Sequence, residues 1–285
     1  MSEPGKLYIC GTPIGNLDDI TYRAVEIFKQ VDMIAAEDTR RTGKLLHHLS
    51  LEKPLISYHE HNEKKRAKEL LDKLKEGKDL ALTSDAGMPG ISDPGLEITK
   101  LAVDANIEVI PVPGPTAAIS ALVVSGLPTD SFVFEGFIPR KGKERKLSLK
   151  RIQREERTLI LYESPYRLKD TLQDLKPLME ERQVVVAREL TKVHEEKIYG
   201  SCAEVLEQLE DRAVKGEIVV VIEGRSVVEE SQGWEELSIV EHVELLMKNG
   251  YTKKKAIKEV ARLRDLPKSD VYQEAIVIDA TKYID

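Results

Sequence analysis

Two short stretches hold side chains able to move protons. AAEDTRRT, residues 35–42, sets Glu37 and Asp38 beside Arg40 and Arg41. SYHEHNE, residues 57–63, sets His59 and His61 around Glu60. Each closes an apolar run that reads as a strand, VDMIAAE and PLISYH. A hydroxyl nucleophile must lose its proton as it attacks, and a positioned base accelerates that step by roughly 10²–10⁴-fold. Asp38 or His59, with Glu37 beside them, is the candidate base, and Arg40 a candidate phosphate partner. The plainer reading of EDTRR is a helix start, where acidic side chains complement the positive end of the dipole; the residues alone favour neither. Two histidines around Glu60 are metal-binding types, but no further ligand is evident and a zinc site needs three or four. No metal is expected.

Three glycine- and proline-rich loops come next. GTPIGNLDDIT, residues 11–21, follows the apolar run KLYICG and precedes a helical pattern. It is not a dinucleotide fingerprint, because Pro13 stands where the second glycine belongs, and not a P-loop, because no lysine follows Gly15. SDAGMPGISDPG, residues 84–95, follows KDLALT, and PVPGPTAAISAL, residues 111–122, places Gly114 and Thr116 ahead of a helix. Taken singly each is a turn: Asp85 can satisfy backbone N–H groups, Gly87 and Gly90 can supply positive φ, and Thr116 can be an N-cap. Taken together, two lie at strand ends of one apparent sheet and the third leads into the next domain. Ligands occupy such strand ends and the clefts between domains.

The elements that must position these residues follow a rhythm. Up to residue 114, strand runs alternate with helical patterns such as ITYRAVEIFKQ and NEKKRAKELLDKLKEG, which predicts a largely parallel sheet covered by helices. From residue 115 the runs SFVFEGF, TLILYES, RQVVVAREL, EEKIYGS and GEIVVVIEG crowd together, leaving little room for crossover helices and predicting a mixed sheet with antiparallel pairs. From 235 the pattern is of two or three short helices, with Gly250 a stop, Thr252 a cap and Pro267 a start. The expected domains are 1–114, 115–230 and 235–285, with a composition shift at Ser231–Gly233. No apolar run reaches the length of a membrane span. The start, MSEPGK, lacks a signal peptide's apolar core, and the two cysteines make neither a zinc spacing nor a disulfide framework. A cytoplasmic setting is expected.

The net charge of −7 argues against a nucleic-acid partner for the chain as a whole. The positive charge is concentrated, however. Arg140 to Arg157 holds nine Lys or Arg against three Glu, and Lys253 to Arg264 holds six against one, so 15 of the 43 basic residues fall in 30 positions. Phosphate binding needs a local basic surface rather than a basic whole. A solvated helix face is the ordinary reading of either run alone.

In this order, GTPIGNLDDIT, AAEDTRRT, SYHEHNE, LTSDAGMPGISDPG, PVPGPTAAISAL and FVFEGFIPR, continued by LYESPYRL, ARELTKVHEE and GEIVVVIEG, resemble the tetrapyrrole-methylase superfamily. Within it they resemble the branch that acts on small-subunit ribosomal RNA. The resemblance covers roughly residues 7–224 and extends to the helical tail. It implies an α/β fold: two α/β domains of the tetrapyrrole-methylase type with S-adenosylmethionine in the interdomain cleft, plus a small C-terminal helical domain. It also implies 2′-O-methylation of a cytidine in 16S ribosomal RNA, and a homodimer. Carried over to this sequence, it places Pro13, Ser84, Asp85, Ala86, Gly87, Gly114, Thr116, Ala117, Tyr162, Glu163, Ala187, Arg188, Glu189, Gly216, Glu217 and Ile218 around the cofactor. The RNA-facing candidates are Arg40, Arg41, Arg140, Lys141, Lys143, Lys254, Lys255 and Lys258. Two other functions compete. One is methylation of a small tetrapyrrole, which has no use for a basic arm. The other is a non-catalytic ribosome-assembly protein, which has no use for intact SDAGMPG and PGPTAA.

Overall fold

The computed structural model describes residues 3–179, 181–226 and 237–278. The apolar runs of the first part become β1 (Leu7–Cys10), β2 (Met33–Ala36), β3 (Leu55–Ser57), β4 (Leu80–Thr83) and β5 (Val109–Val112). They form one sheet, ordered β3-β2-β4-β1-β5, with every pair parallel. Side chains alternate across a strand, and both faces are covered here. Leu80 and Leu82 join Leu70, Leu74 and Ile98 in one cluster, while Ala81 and Ile34 join Phe28 and Leu45 in another. The first cluster is supplied by helices α3 (Glu63–Lys75) and α4 (Leu96–Asp104), the second by α1 (Tyr22–Gln30) and α2 (Thr39–His48). Burial on both faces explains why these strands read as continuous apolar runs.

Strand order also fixes where a ligand can sit. The connection from β1 passes β4 to reach β2, and that from β4 passes β1 to reach β5. The two chains therefore leave in opposite directions, opening a crevice at the carboxyl ends of β1 and β4, the topological switch point where such sheets bind ligands.

The second sheet is mixed, as its crowded runs imply. It comprises β6 (Phe132–Phe137), β7 (Thr158–Glu163), β8 (Gln183–Arg188), β9 (Glu196–Ser201) and β10 (Ile218–Ile222), ordered β6-β7-β10-β8-β9. Only β6 and β7 are parallel; the other pairs are antiparallel. All five residues of β10 are buried. Ile218, Val220 and Ile222 pack with Leu168 and Leu172 of α7 (Leu168–Leu175) and Val205 of α8 (Cys202–Gln208), on a face that α6 (Gly142–Arg154) completes through Ile152. Val219 and Val221 pack with Ala118, Ala121 and Leu122 of α5 (Ala117–Ser125) and with Ile14 of the first glycine loop. The first glycine loop thus reaches into the core of the second sheet.

The described residues divide into two compact units, one within Met1–Arg225 and one within Ser226–Asp285. Both sheets belong to the first. The second holds α9 (Ile239–Lys248), α10 (Lys253–Leu263) and α11 (Lys268–Ala275), packed around Val243, Met247, Ile257, Val260 and Val271. Ser238 opens α9 with a reciprocal capping box to Glu241. Gly250 takes φ +88° between α9 and α10, Thr252 occupies the N-cap position of α10 without a side-chain cap bond, and Pro267 occupies that of α11. The composition shift at Ser231–Gly233, with the flanking limits at 230 and 235, lies outside the described residues. Among the described residues no helix is long and apolar enough to cross a membrane. Cys10 sits in the core of the first sheet and Cys202 in that of the second, both as free thiols. Burial pushes Cys10 up to about 12 and Cys202 up to about 11.

Candidate active site

At the switch point the loops after β1 and β4 are stitched together. The Thr12 N–H donates to the Gly87 carbonyl at 2.9 Å, and the Gly87 N–H donates to the Thr12 carbonyl at 3.0 Å. Thr12 Oγ1 donates to the Ser84 carbonyl at 3.1 Å, and Ser84 Oγ lies 3.3 Å from the carbonyls of both Ala86 and Gly87. Gly87 takes φ +80°, a conformation that favours glycine. The loop after β5 crosses the first at Gly114, and a Cβ on Gly11 would lie 2.8 Å from Gly114 Cα. Only glycines permit that approach.

Beside this crossing lies a cavity of about 600 Å³, of the size that ligand pockets take. Ile14, Asp85, Met88 and Asp93 line it from the first sheet's loops, Thr116 and Ala117 from the start of α5, and Phe134, Tyr162, Ala187 and Val219 from the second sheet. Phe134 and Phe137 meet the Tyr162 ring edge-on, with centroids 5.0 and 5.6 Å away.

The charged groups of this largely apolar wall are mostly acidic. Glu37 accepts a bond from the Asp85 N–H at 3.1 Å, and burial pushes its carboxyl above the ordinary range. Asp85 accepts the Asp38 N–H at 3.0 Å and lies 3.5 Å from Arg41 Nε. Glu163, 3% exposed, accepts the Thr171 hydroxyl at 2.6 Å and the Ser164 N–H at 2.7 Å. Asp93 is pushed up to about 7 by burial first, then by the nearby charges of Glu37, Asp85 and Glu217. Buried carboxylates that share one site repel each other's ionisation in this way.

A family model for tetrapyrrole (corrin/porphyrin) methylases matches residues 6–206. The chain belongs to this family. A protein of Halalkalibacterium halodurans named ribosomal RNA small subunit methyltransferase I is 48% identical over 272 residues, covering 95% of this chain and 94% of the relative. Its namesake in Bacillus subtilis is 46% identical over 95% of this chain and 94% of the relative. The namesake in Thermotoga maritima is 50% identical over 221 residues, which are 78% of this chain and 99% of the relative. The chain is a methyltransferase. Solved structures share the fold at low identity. Uroporphyrin-III C-methyltransferase from Thermus thermophilus, complexed with S-adenosylhomocysteine, superposes with TM-score 0.55 at 18% identity, over 77% of this chain and 97% of that one. The methyltransferase CobJ reaches 0.59 at 18%, over 78% and 95%.

On this methylase fold, most of the residues expected at the cofactor share one cavity. Asp85, Ala86, Gly87, Thr116, Ala117, Tyr162, Glu163, Ala187, Gly216, Glu217 and Ile218 line it, as do Glu37 and Arg41. Five expected residues do not, and each has a structural occupation instead. Pro13 is buried, and its neighbour Ile14 faces the cavity. The Ser84 hydroxyl is turned onto its own loop. Gly114 is spent on the contact with Gly11. Arg188 bonds to Glu196 at 3.1 Å and to the Lys215 carbonyl at 3.2 Å. Glu189 accepts the Glu217 N–H at 2.9 Å and pairs with Lys192 at 2.8 Å. Its carboxylate fills the space a side chain on Gly216 would need.

Of the three expected proton-moving groups, only Glu37 reaches the cavity. Asp38 is the N-cap of α2: Oδ1 accepts the Arg40 N–H at 2.8 Å, and the two carboxylate oxygens hold the Arg40 guanidinium at 3.0 and 2.7 Å. Those bonds keep its carboxyl well below the usual range, which makes it a weak base. His59 follows β3, the edge strand, one strand beyond β2. Its backbone N–H donates to Asn62 Oδ1 at 2.9 Å, Nε2 lies 3.1 Å from Asn62 Nδ2, and Nδ1 is buried without a hydrogen-bond partner among the described residues.

The RNA-facing candidates scatter more widely. Arg40 is exposed and chelated by Asp38. Arg140 lines a neighbouring groove of about 540 Å³ with Tyr166, Arg167 and Ser164, and Ser164 also lines the cavity. Lys141 and Lys143 are exposed where α6 begins. Lys254, Lys255 and Lys258 are exposed on α10 with no ion pair among the described residues. Sequence reasoning missed Asp93 and the aromatic wall. Asp93 had a signal, since SDPG repeats the SD of SDAG within one loop. The wall had none. Strict alternation puts Phe132 and Phe134 on one face and Phe137 on the other, but a register shift between Phe134 and Gly136 brings all three to the cavity.

Proposed function

We propose that this chain transfers a methyl group from S-adenosylmethionine to the 2′-hydroxyl of a cytidine in small-subunit (16S) ribosomal RNA. The observation that carries this reading is the 48% identity over 95% of the chain to a protein named for small-subunit ribosomal RNA methylation. The uroporphyrin-III C-methyltransferase and the methyltransferase CobJ share only the fold, at 18%.

The cavity suits the donor. S-adenosylmethionine has no polyphosphate, and among the described residues Arg41 is the one basic side chain lining the cavity. The donor carries a sulfonium and an ammonium, for which Glu37 and Asp85 provide opposite charge. The loop Asp85–Met88, the start of α5 and the segment Gly216–Ile218 would hold it, and bound there it supplies a methyl carbon activated by positive sulfur. The protein's part is alignment and exclusion of water. Holding nucleophile and methyl in line is worth several kcal/mol, up to about 7–11 in favourable cases. Arg41 in the cavity and Arg140 in the adjoining groove would take the phosphates flanking the acceptor. Single-stranded RNA is read by stacking on aromatic side chains, and Phe132 and Phe137 offer exposed rings at 39% and 56%.

The working form in this reading is a cytoplasmic homodimer acting on ribosomal RNA or the assembled small subunit. Exposed Ile119, Val123 and Val124 on α5 support a self-association face. Within the first unit we place a domain limit near residue 114, because α5 packs on the second sheet; the second domain then extends to about 230, and 235–285 is the helical domain.

The test is transfer of labelled methyl from S-adenosylmethionine to small subunits lacking the modification. Label is expected in a cytidine whose 3′ linkage resists alkaline cleavage. Label on a base, or transfer to a tetrapyrrole alone, would overturn the reading.

A further inference from the structure

We infer that Asp93 accepts the proton of the acceptor hydroxyl during methyl transfer, an assignment that rests on the methyltransferase reading above. The basis is an elimination among the carboxylates that line the cavity. Glu37 is engaged by the Asp85 N–H, and Asp85 by the Asp38 N–H and Arg41. Glu163 is engaged by Thr171, Ser164 and Arg167, the last at 3.3 Å, and Glu217 by Lys192 at 3.1 Å. Asp93 lines the same cavity, is partly buried, and has no hydrogen bond or ion pair among the described residues. Its backbone is nevertheless tightly held. Ser92 before it takes φ +62°, Pro94 follows, and the Gly95 N–H is fixed to Glu63 at 3.0 Å. A restrained loop thus presents to the ligand cavity one carboxylate that the described residues leave free to meet a ligand.

In the step itself, the ribose oxygen forms a bond to the methyl carbon. The carbon–sulfur bond breaks with its electron pair left on sulfur, and the hydroxyl proton passes to an Asp93 carboxylate oxygen, from which water later removes it. The groups facing Asp93 across the cavity are Glu37 after β2, Arg41 on α2, Asp85 after β4, Tyr162 and Glu163 on β7, and Glu217 before β10. The burial and like charges that hold it near neutrality suit a base, which works best with a pKa close to the working pH. The sign is fixed by chemistry: the acceptor must be ionised, so turnover falls as pH drops through its pKa.

The same carboxylate could serve only to attract the donor's positive charge, and the experiment separates the two roles. Methyl transfer to small subunits is measured across pH for wild type and Asp93→Asn, beside calorimetry with S-adenosylmethionine and with S-adenosylhomocysteine, which lacks the sulfonium. The expected result is a kcat lower by about 100-fold or more, loss of the acid limb, and an unchanged preference between the two ligands. Asp93→Glu should recover part of the rate together with an acid limb. Thermal melting adds a readout independent of turnover. A folded-state pKa raised above the unfolded one makes stability fall as pH rises between them. Asp93→Asn should therefore melt higher than wild type at pH 8, with the gap narrowing as pH falls and closing only in the ordinary aspartate range. A near-normal kcat with a lost sulfonium preference, or a variant destabilised at pH 8, would overturn the assignment. Wild-type protein that binds the donor but methylates no subunit would instead sink the underlying reading and this assignment with it.

Discussion

At Gly87 two demands coincide. Its backbone is left-handed at φ +80°, and its amide and carbonyl tie the second loop to Thr12. An added Cβ would meet nothing closer than 3.5 Å, so a side chain there is opposed by backbone strain, not by a clash. Such strain costs about 1–2 kcal/mol for an L-residue, and more for a β-branched one. Gly87→Val should therefore fold yet bind S-adenosylhomocysteine about tenfold or more weakly; unchanged affinity by calorimetry would reduce the glycine to a turn. This much was legible from SDAGMPG, because glycine beside proline reports backbone directly. The base was harder to read. EDTRR and SDPG each offer an aspartate after a strand, and sequence cannot say that Asp38 turns back to cap a helix and chelate Arg40 while Asp93 is left unengaged. Side-chain partnership is decided by tertiary neighbours, and those neighbours set the proton affinity.

Between elements, one small network holds the loop of Asp93 in place. Tyr58, fully buried after β3, donates its hydroxyl to Glu63 Oε1 at 3.1 Å and accepts the Ile98 N–H at 3.3 Å. Glu63 Oε1 also accepts the Gly95 N–H. The first turns of α3 and α4 and the end of the glycine loop thus meet on one phenol. Tyr58→Phe keeps the ring but leaves these groups short of a partner, a loss of about 1–3 kcal/mol, which for a domain of this size lowers Tm by about 2–4 °C per kcal/mol. An unchanged Tm would show that the hydroxyl bears no weight. SYHEHNE drew attention for its histidines, yet its tyrosine and Glu63 serve the site, from a distance. Element types were readable because runs buried on both faces leave an unbroken apolar signature. The shift in β6 was not, since an irregularity of one residue changes which face Phe137 joins without changing composition.

On the scale of the whole chain, the helical unit is an addition to the catalytic part. The cavity is lined wholly from the first unit, and the Thermotoga maritima relative aligns over 99% of its length with only 78% of this chain. On α10, Ala256, Ile257, Val260 and Ala261 are buried as their spacing implies, while Leu263 is only half-buried. Lys253 is tied to the Ile278 carbonyl at 2.7 Å, and Arg262, though exposed, is paired with Glu259 at 2.6 Å. Lys254, Lys255 and Lys258 remain exposed and unpaired among the described residues. Lys254 and Lys255 sit in the first turn, where the dipole disfavours cations and a bound phosphate would relieve the repulsion. Replacing the three with Gln should weaken RNA binding most at low salt and flatten its salt dependence by about 0.7 per contact for single strands. Affinity for S-adenosylhomocysteine should not move. An unaltered slope would assign this face to solvation and leave Arg140, Lys141 and Lys143 as the RNA surface.

Each sheet also carries its own clock. Cys10 and Cys202 are sealed in separate cores and stay protonated at any physiological pH. A thiol reagent acts on the thiolate of an accessible cysteine, so it must wait for the surrounding sheet to open. Mass-resolved alkylation of the native protein therefore times the breathing of each half separately. A ligand that bridges both sheets should slow the two labelling rates together, whereas one that grips a single sheet should slow one.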